Sequence, residues 1–418
     1  SGVAVAFDRV DERRREAEAE SGKAQAEADR NDRWVRALTL LEKSQREFAT
    51  AAELPYQDLG PEARLLKARP ALDRARQAVA IAGDLAIAHY DEGRIWYLAG
   101  RRGLAEASLR RALEIDPTLS PARYWLAANL LEDSFVGRSE FPESEFLESE
   151  AARRALQQAL AELDRLLLDP SGFDDQLEFA RARAFVAYST TEDPVRRRAA
   201  VERIAGEAIG RAGLVRGTEY FLFLRALCRT SRRESGQRRR LLETAIEVRP
   251  RYGLAKLLLA QLRIHAPGDF GFAPRVLREA IGDLDVVIED GLNLYVAYVH
   301  RADAFRHLID FQLGRGDTRR PDGDLVRAAE ADLHRALEAR PGGYLALVTR
   351  GQLHLSLDRL DEAQAALEEA IARRPEYWSA HRALADAHER RGEMEAAKAE
   401  RRLAQSKFAD WRHAHDMR

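Results

Sequence analysis

Apolar residues in this chain recur three and four positions apart, and the runs they form are closed by proline. Four closures align: Glu114-Ile115-Asp116-Pro117, Glu247-Val248-Arg249-Pro250, Glu338-Ala339-Arg340-Pro341 and Ala372-Arg373-Arg374-Pro375. Each follows an amphipathic stripe, namely Ala105…Leu109…Ala112, Leu242…Ala245, Ala329…Leu333…Ala336 and Ala363…Leu367…Ala370. Spacing of this kind places one apolar face on a helix. Proline then stops the helix, because it has no N–H to give to the ladder. The last two prolines stand 34 residues apart, which fits one helix–turn–helix unit. Gly93 and Gly351 each precede the stripe's first alanine by 12 residues. Small residues there predict closely approaching helix pairs.

The runs Gly93…Trp96…Ala105…Leu109…Ala112…Pro117 and Gly351…His354…Ala363…Leu367…Ala370…Pro375 resemble the tetratricopeptide (TPR) pattern, and the turn Asp361-Glu362-Ala363 matches it too. The family's first-helix Trp is His89 and Leu347 here, and its Tyr is His354 in the second run. The resemblance implies an all-α, right-handed, TPR-like solenoid of about nine antiparallel hairpins. Tiling outward from the two strong units places the hairpins at 31–84, 86–119, 120–170, 174–215, 217–252, 253–292, 293–342, 344–377 and 378–411. Residues 31–411 are thus the expected superhelical domain, and 412–418 a tail. In the last hairpin Arg401 stands where a large apolar residue is expected, so its second helix reads as a polar-faced cap. Residues 1–30 read as a charged Ala/Glu/Arg helix or juxtamembrane arm.

Composition narrows the function. Lysine and arginine number 67 against 69 aspartates and glutamates, so no global field draws the chain onto nucleic acid or an anionic membrane. A single cysteine, Cys228, excludes an intramolecular disulfide framework and a thiolate zinc cluster. No apolar stretch reaches the 18 residues a membrane-spanning helix needs. The chain begins Ser1-Gly2-Val3 without a methionine or a signal-peptide pattern, and the expectation is a piece of a longer protein or an expression boundary. A cytoplasmic location is expected, with a membrane tether through a preceding segment as the further alternative.

Four units exceed regular length, each between its two helices: Ser134–Ser149, Ser231–Gln237, His265–Ala273 and Gly314–Gly323. Equivalent loops of successive repeats project from one face, so they read either as a functional edge or as tolerated insertions. The first is acidic with Phe135, Phe141 and Phe146 interleaved, chemistry that suits a basic, partly apolar peptide or a plain solvated loop. Arg229, Arg232, Arg233, Arg238, Arg239 and Arg240 form a patch able to grip phosphates. It holds no aromatic to stack a base, and a charged interhelical turn is the blander reading.

Several motifs carry no chemistry. Asp269-Phe270-Gly271 spells a kinase metal-binding motif, yet no glycine-rich phosphate loop precedes it, and His300-Arg301 and His381-Arg382 follow rather than precede it. Arg315-Gly316-Asp317 is too short to use. His381 and His388 stand seven apart, without the i,i+4 partner of a helical zinc site or a nearby carboxylate, and read as packing residues. No nucleophile-elbow or Ser/His/Asp spacing stands out, so no catalytic residue, metal or cofactor is assigned.

By resemblance, the outward positions of the first helices hold peptide ligands. Carried onto this chain they are Tyr90, Arg94, Tyr97, Tyr124, Tyr220, Phe223, Asp303, Arg306, Gln352, Arg382 and Asp386. The Lys/Asn carboxylate clamp of the chaperone-tail subgroup has no counterpart in the two strong units. The expected function is a non-catalytic scaffold that binds a protein or peptide partner in a concave groove. Two alternatives stand beside it. One is a sensor or recruitment region of a bacterial serine/threonine kinase, which the charged helix followed by Arg-rich units resembles. The other is a nucleic-acid-binding helical repeat using residues 229–240.

Overall fold

A computed structural model describes residues 2–51, 59–134, 150–168, 176–191, 193–213, 217–229, 234–265, 274–292, 294–314 and 321–416. Among the described residues there are eighteen helices and no strand. They pair as α1 (Gly2–Ala51) with α2 (Pro61–Ile81) and α3 (Ala86–Leu98) with α4 (Arg102–Ile115), and are followed in the chain by α5 (Ser120–Ser134) and α6 (Glu150–Leu168). Next come α7 (Gln176–Thr190) with α8 (Pro194–Ala212), α9 (Glu219–Leu227) with α10 (Ser235–Val248), and α11 (Gly253–His265) with α12 (Pro274–Glu289). The last three pairs are α13 (Leu294–Gly314) with α14 (Gly323–Ala339), α15 (Tyr344–Ser356) with α16 (Leu360–Arg373), and α17 (Trp378–Arg390) with α18 (Met394–Asp416). Each pair falls on one of the hairpins expected from the proline closures. The charged amino-terminal segment is continuous with the first hairpin helix, since α1 runs unbroken past residue 30.

The apolar stripes are the core. Ala105, Leu109 and Ala112 of α4 are fully buried, as are Ala363, Leu367 and Ala370 of α16. Second helices bury only such a stripe. First helices such as α11 bury Leu254, Ala255, Leu257, Leu258, Leu259 and Ala260 on nearly every side, because each also packs against a neighbouring hairpin. Three short turns share one closure. Arg101 N donates to Trp96 O, Arg359 N to His354 O, and Glu393 N to His388 O, with a left-handed residue at Gly100, Asp358 and Gly392. This is the Schellman arrangement that ends a helix sharply. The four long insertions fall mainly outside the described residues.

The chain packs as two compact units, Ser1–Tyr56 with Glu62–Leu126, and Gln57–Pro61 with Ala127–Arg418. In the first, Ala37, Leu41, Phe48, Leu72, Leu85 and Ile95 share one apolar cluster with Trp34 and Trp96 against it. In the second, tyrosines at the starts of first helices bind the next hairpin. The Ala346 N–H donates to Tyr295 Oη at 3.2 Å, and the Ala380 N–H to Tyr344 Oη at 3.2 Å. A tyrosine hydroxyl thereby satisfies an N–H of the first turn that has no helical acceptor.

Candidate ligand-binding surface on the first helices

The eleven expected ligand positions divide sharply by burial. Tyr124, Tyr220, Phe223 and Asp303 are only 4%, 5%, 2% and 6% exposed, and their side chains belong to the core rather than to an open groove. Tyr220 packs edge-on against Phe185 at 4.9 Å and beside Tyr252 at 5.6 Å, while Phe223 meets Tyr252 edge-on at 5.7 Å. The reason is the double packing of first helices, which leaves little outward face in the middle of the array. Tyr90, Arg94, Tyr97, Arg306 and Gln352 are half-buried, and Arg382 and Asp386 are exposed.

In the first unit Tyr90 and Arg94 come together with residues that the sequence does not single out. Gln45, Phe48 and Ala49 of α1 face Tyr90 and Arg94 of α3 across a cavity of about 430 Å³. The Arg94 guanidinium lies 5.6 Å from the Phe48 ring centre and 6.0 Å from that of Tyr90. Its charge is attracted to the faces of both rings. Beneath it Asp91 is fully buried, within 2.9 Å of Ser44 Oγ and 3.4 Å of Arg94. Burial pushes the Asp91 carboxyl above its usual range, against the opposing pull of Arg94, Ser44 and Gln45. Tyr97 sits apart, edge-on to Trp125 at 5.1 Å. Sequence pattern alone does not bring out Phe48, because α1 begins as a charged arm and its apolar face emerges only after residue 33.

In the second unit Asp303 and Arg306 form an ion pair at 2.6 Å, and Arg306 also holds Asp310 at 2.8 Å. Two histidines complete a buried chain. The Gln261 amide donates to His300 Nε2 at 2.9 Å, which leaves His300 Nδ1–H to donate to His265 Nε2 at 3.4 Å. His265 Nδ1 then faces Asp303 at 3.7 Å. Burial lowers His265 to about 4 and His300 to about 3, so both rings are neutral near pH 7. The Asp303 carboxyl is held below its usual range by Arg306, His307 and His265 despite full burial. Its charge is committed internally. Arg382 lies over the Trp378 ring at 4.8 Å, and Asp386 faces Arg401 at 3.6 Å.

The remaining candidates resolve as structure. Arg229 and Arg225 both pair with Glu202 at 2.7 Å, Arg239 faces Glu243 at 3.7 Å, and Arg238 is buried. Arg232 and Arg233 lie outside the described residues. Contrary to that expectation, His381 and His388 of α17 have carboxylate neighbours, Glu400 of α18 at 2.7 Å and Glu393 in the turn just before it at 2.5 Å. Among the described residues no three His, Cys, Asp or Glu side chains are placed to hold a metal ion. Burial pushes the Cys228 thiol up to about 11, so it keeps its proton near neutrality. No described helix is long and apolar enough to cross a membrane.

The sequence model of the tetratricopeptide repeat matches residues 348–410, which span α15 to α18. No curated protein sequence matches the chain. Similar solved structures include yeast Tom70, 14% identical, covering 89% of this chain and 76% of that one with a TM-score of 0.36. The Cut9–Hcn1 hetero-tetramer of the APC/C is 13% identical over 92% and 82%, with a TM-score of 0.41. The TPR domain of P58(IPK) is 16% identical over 88% and 92%, with a TM-score of 0.26.

Proposed function

We propose that this chain, whose residues 348–410 carry tetratricopeptide repeats, is a non-catalytic scaffold that binds a protein or peptide through its first helices. The observation that carries the reading is the notch in the first unit. Two successive first helices, α1 and α3, place Phe48 and Tyr90 on either side of Arg94 around an open cavity. Aromatic side chains bury much area with few rotors to freeze, and arginine adds directional donors, so this trio has the composition of a binding hot spot. An extended peptide segment fits a shallow notch between first helices better than a compact metabolite, because none of the described residues closes over it. Within the segment 229–240, Arg229 is paired with Glu202 and Arg239 faces Glu243, which favours the protein-binding reading over the nucleic-acid one.

A photo-crosslinking amino acid at Tyr90, irradiated in the source cell and followed by mass spectrometry, tests this directly. A recurrent protein adduct at position 90, absent when the crosslinker sits at exposed Leu66 on α2, is the expected result. Equal labelling from both positions would remove the notch as the site.

A further inference from the structure

We propose that the crevice between α7 and α8 docks an acidic segment of a partner protein. The segment seats a large apolar side chain between the helices and sets its carboxylates on Arg183 and Arg211. The crevice lies within the second unit and stands independently of the notch at Tyr90.

The two helices leave space between them. Phe179 and Arg183 stand four residues apart on α7, and Ile204, Ala208 and Arg211 are spaced by four and three on α8, so each set shares one helix face. Between these faces is a cavity of about 470 Å³. That volume falls within the roughly 300–1,000 Å³ of ordinary ligand clefts. Its floor is apolar, with Ile204 and Ala208 buried and Phe179 half-buried. The buried stripes of α4 and α16 carry a leucine four residues after their first alanine, Leu109 and Leu367. In α8 the stripe Val201, Ala205, Ala208 has Ala205 at that place, so α8 brings a smaller side chain to its partner.

The rim is cationic. Arg183 is half-buried and makes no ion pair or hydrogen bond with any described residue. Its neighbours on the same two helices are engaged. Arg181 donates to the Gly217 carbonyl at 2.9 Å, Arg197 to the Thr191 carbonyl at 2.8 Å, and Arg198 pairs with Glu234 at 2.7 Å. Arg211 faces Glu207 at 3.7 Å, but Glu207 also faces Arg203 at 3.5 Å, so one carboxylate serves two guanidinium groups. Both contacts are long and exposed, and such pairs are weak. A guanidinium with unused donors matches a carboxylate in shape and charge. A neutral or basic segment would leave Arg183 unmatched. The apolar floor and cationic rim together select an acidic segment that carries a large apolar residue.

The test uses the full chain and two acetylated, amidated hexapeptides, Glu-Glu-Phe-Leu-Glu-Glu and Gln-Gln-Phe-Leu-Gln-Gln, titrated near pH 7 by calorimetry. The expected result is that the glutamate peptide binds at least about tenfold more tightly, a difference of about 1.4 kcal/mol. The gap should narrow as salt is raised. Arg183→Gln should weaken the glutamate peptide at least about fivefold and leave the glutamine peptide unchanged. Ala212→Trp fills the crevice from an exposed position and should block both peptides, with circular dichroism confirming that both variants fold. Equal binding of the two peptides, or no binding of either, overturns the proposal. Loss of binding in Tyr90→Ala with none in Arg183→Gln would move the peptide to the notch and overturn the crevice. The crosslinking at position 90 decides that notch separately. Displacement of the glutamate peptide by equimolar inorganic phosphate would assign the rim to phosphate. Binding that appears only after residues 135–149 are replaced by a glycine–serine linker would make that acidic segment the occupant. A dimer of the chain that Ala212→Trp dissolves would make it a second copy. Each of these three outcomes overturns the acidic partner.

Discussion

A Cβ atom placed on Gly351 would lie 2.5 Å from Leu367 Cγ, and one on Gly93 would lie 2.7 Å from Leu109 Cγ. The same helix contact thus recurs in two hairpins, one in each compact unit. In both, the first helix drops its side chain so that the leucine of the second helix can lie against its backbone. Gly351→Leu and Gly93→Leu should each overpack the pair and cost about 1–3 kcal/mol. Urea unfolding of each unit's own tryptophan fluorescence checks this. Because repeats couple mainly to their neighbours, each loss should appear first in the unit that carries the substitution. Unchanged midpoints in both variants would contradict the packing.

Tyr344 illustrates a bond between hairpins rather than within one. It is fully buried, and its hydroxyl contacts Ser379 Oγ at 2.9 Å and receives the Ala380 N–H. Removing that oxygen in Tyr344→Phe leaves a buried backbone donor short of its acceptor. The expected cost is about 1–3 kcal/mol with little change in helix content. Hydrogen exchange should show faster exchange at Ala380 in particular.

Asp358 occupies with φ of 56° the left-handed position that Gly100 and Gly392 fill in equivalent turns. An L-residue pays for this conformation and glycine does not. Asp358→Gly should therefore stabilise the second unit by about 0.5–1 kcal/mol, seen as a higher thermal midpoint.

The repeat architecture was legible because the second helices write it plainly. Ala363, Leu367 and Ala370 can only face inward, and Pro375 fixes where the unit ends. The first helices are less legible. Phe223 and Tyr220 sit at positions that face a ligand in an idealised hairpin, but here α9 is buried along almost its whole length. A pattern read from one helix cannot register the neighbour that packs on its outer side. The same limit hid Phe48 and the Ser44–Asp91 contact, whose partners are 47 residues apart. Only the prolines and small residues act locally enough to be read without the fold.

Acid should weaken the second unit through His265 and His300. Both are neutral in the folded chain, at about 4 and about 3, against 6.5 for a solvated imidazole. Below pH 6.5 the unfolded chain takes up protons that the native state refuses, so stability falls with pH. Their contribution is complete above that value and is lost progressively as pH drops towards 4 and 3. Each factor of ten by which the fold weakens a ring's affinity for its proton is worth about 1.4 kcal/mol. The groups facing this pair are Asp303, His307 and Arg306, and Asp303 itself binds protons only at still lower pH. Protonating either ring also breaks the one-way donation from Gln261 through His300 to His265. His300→Gln removes one titrating group while keeping an amide able to bond Gln261. Its urea midpoint should lie below wild type at pH 7.5 and converge with it near pH 5, so the slope of stability against pH is shallower in the variant. Parallel pH profiles for the two proteins would show that His300 is not held neutral by the fold.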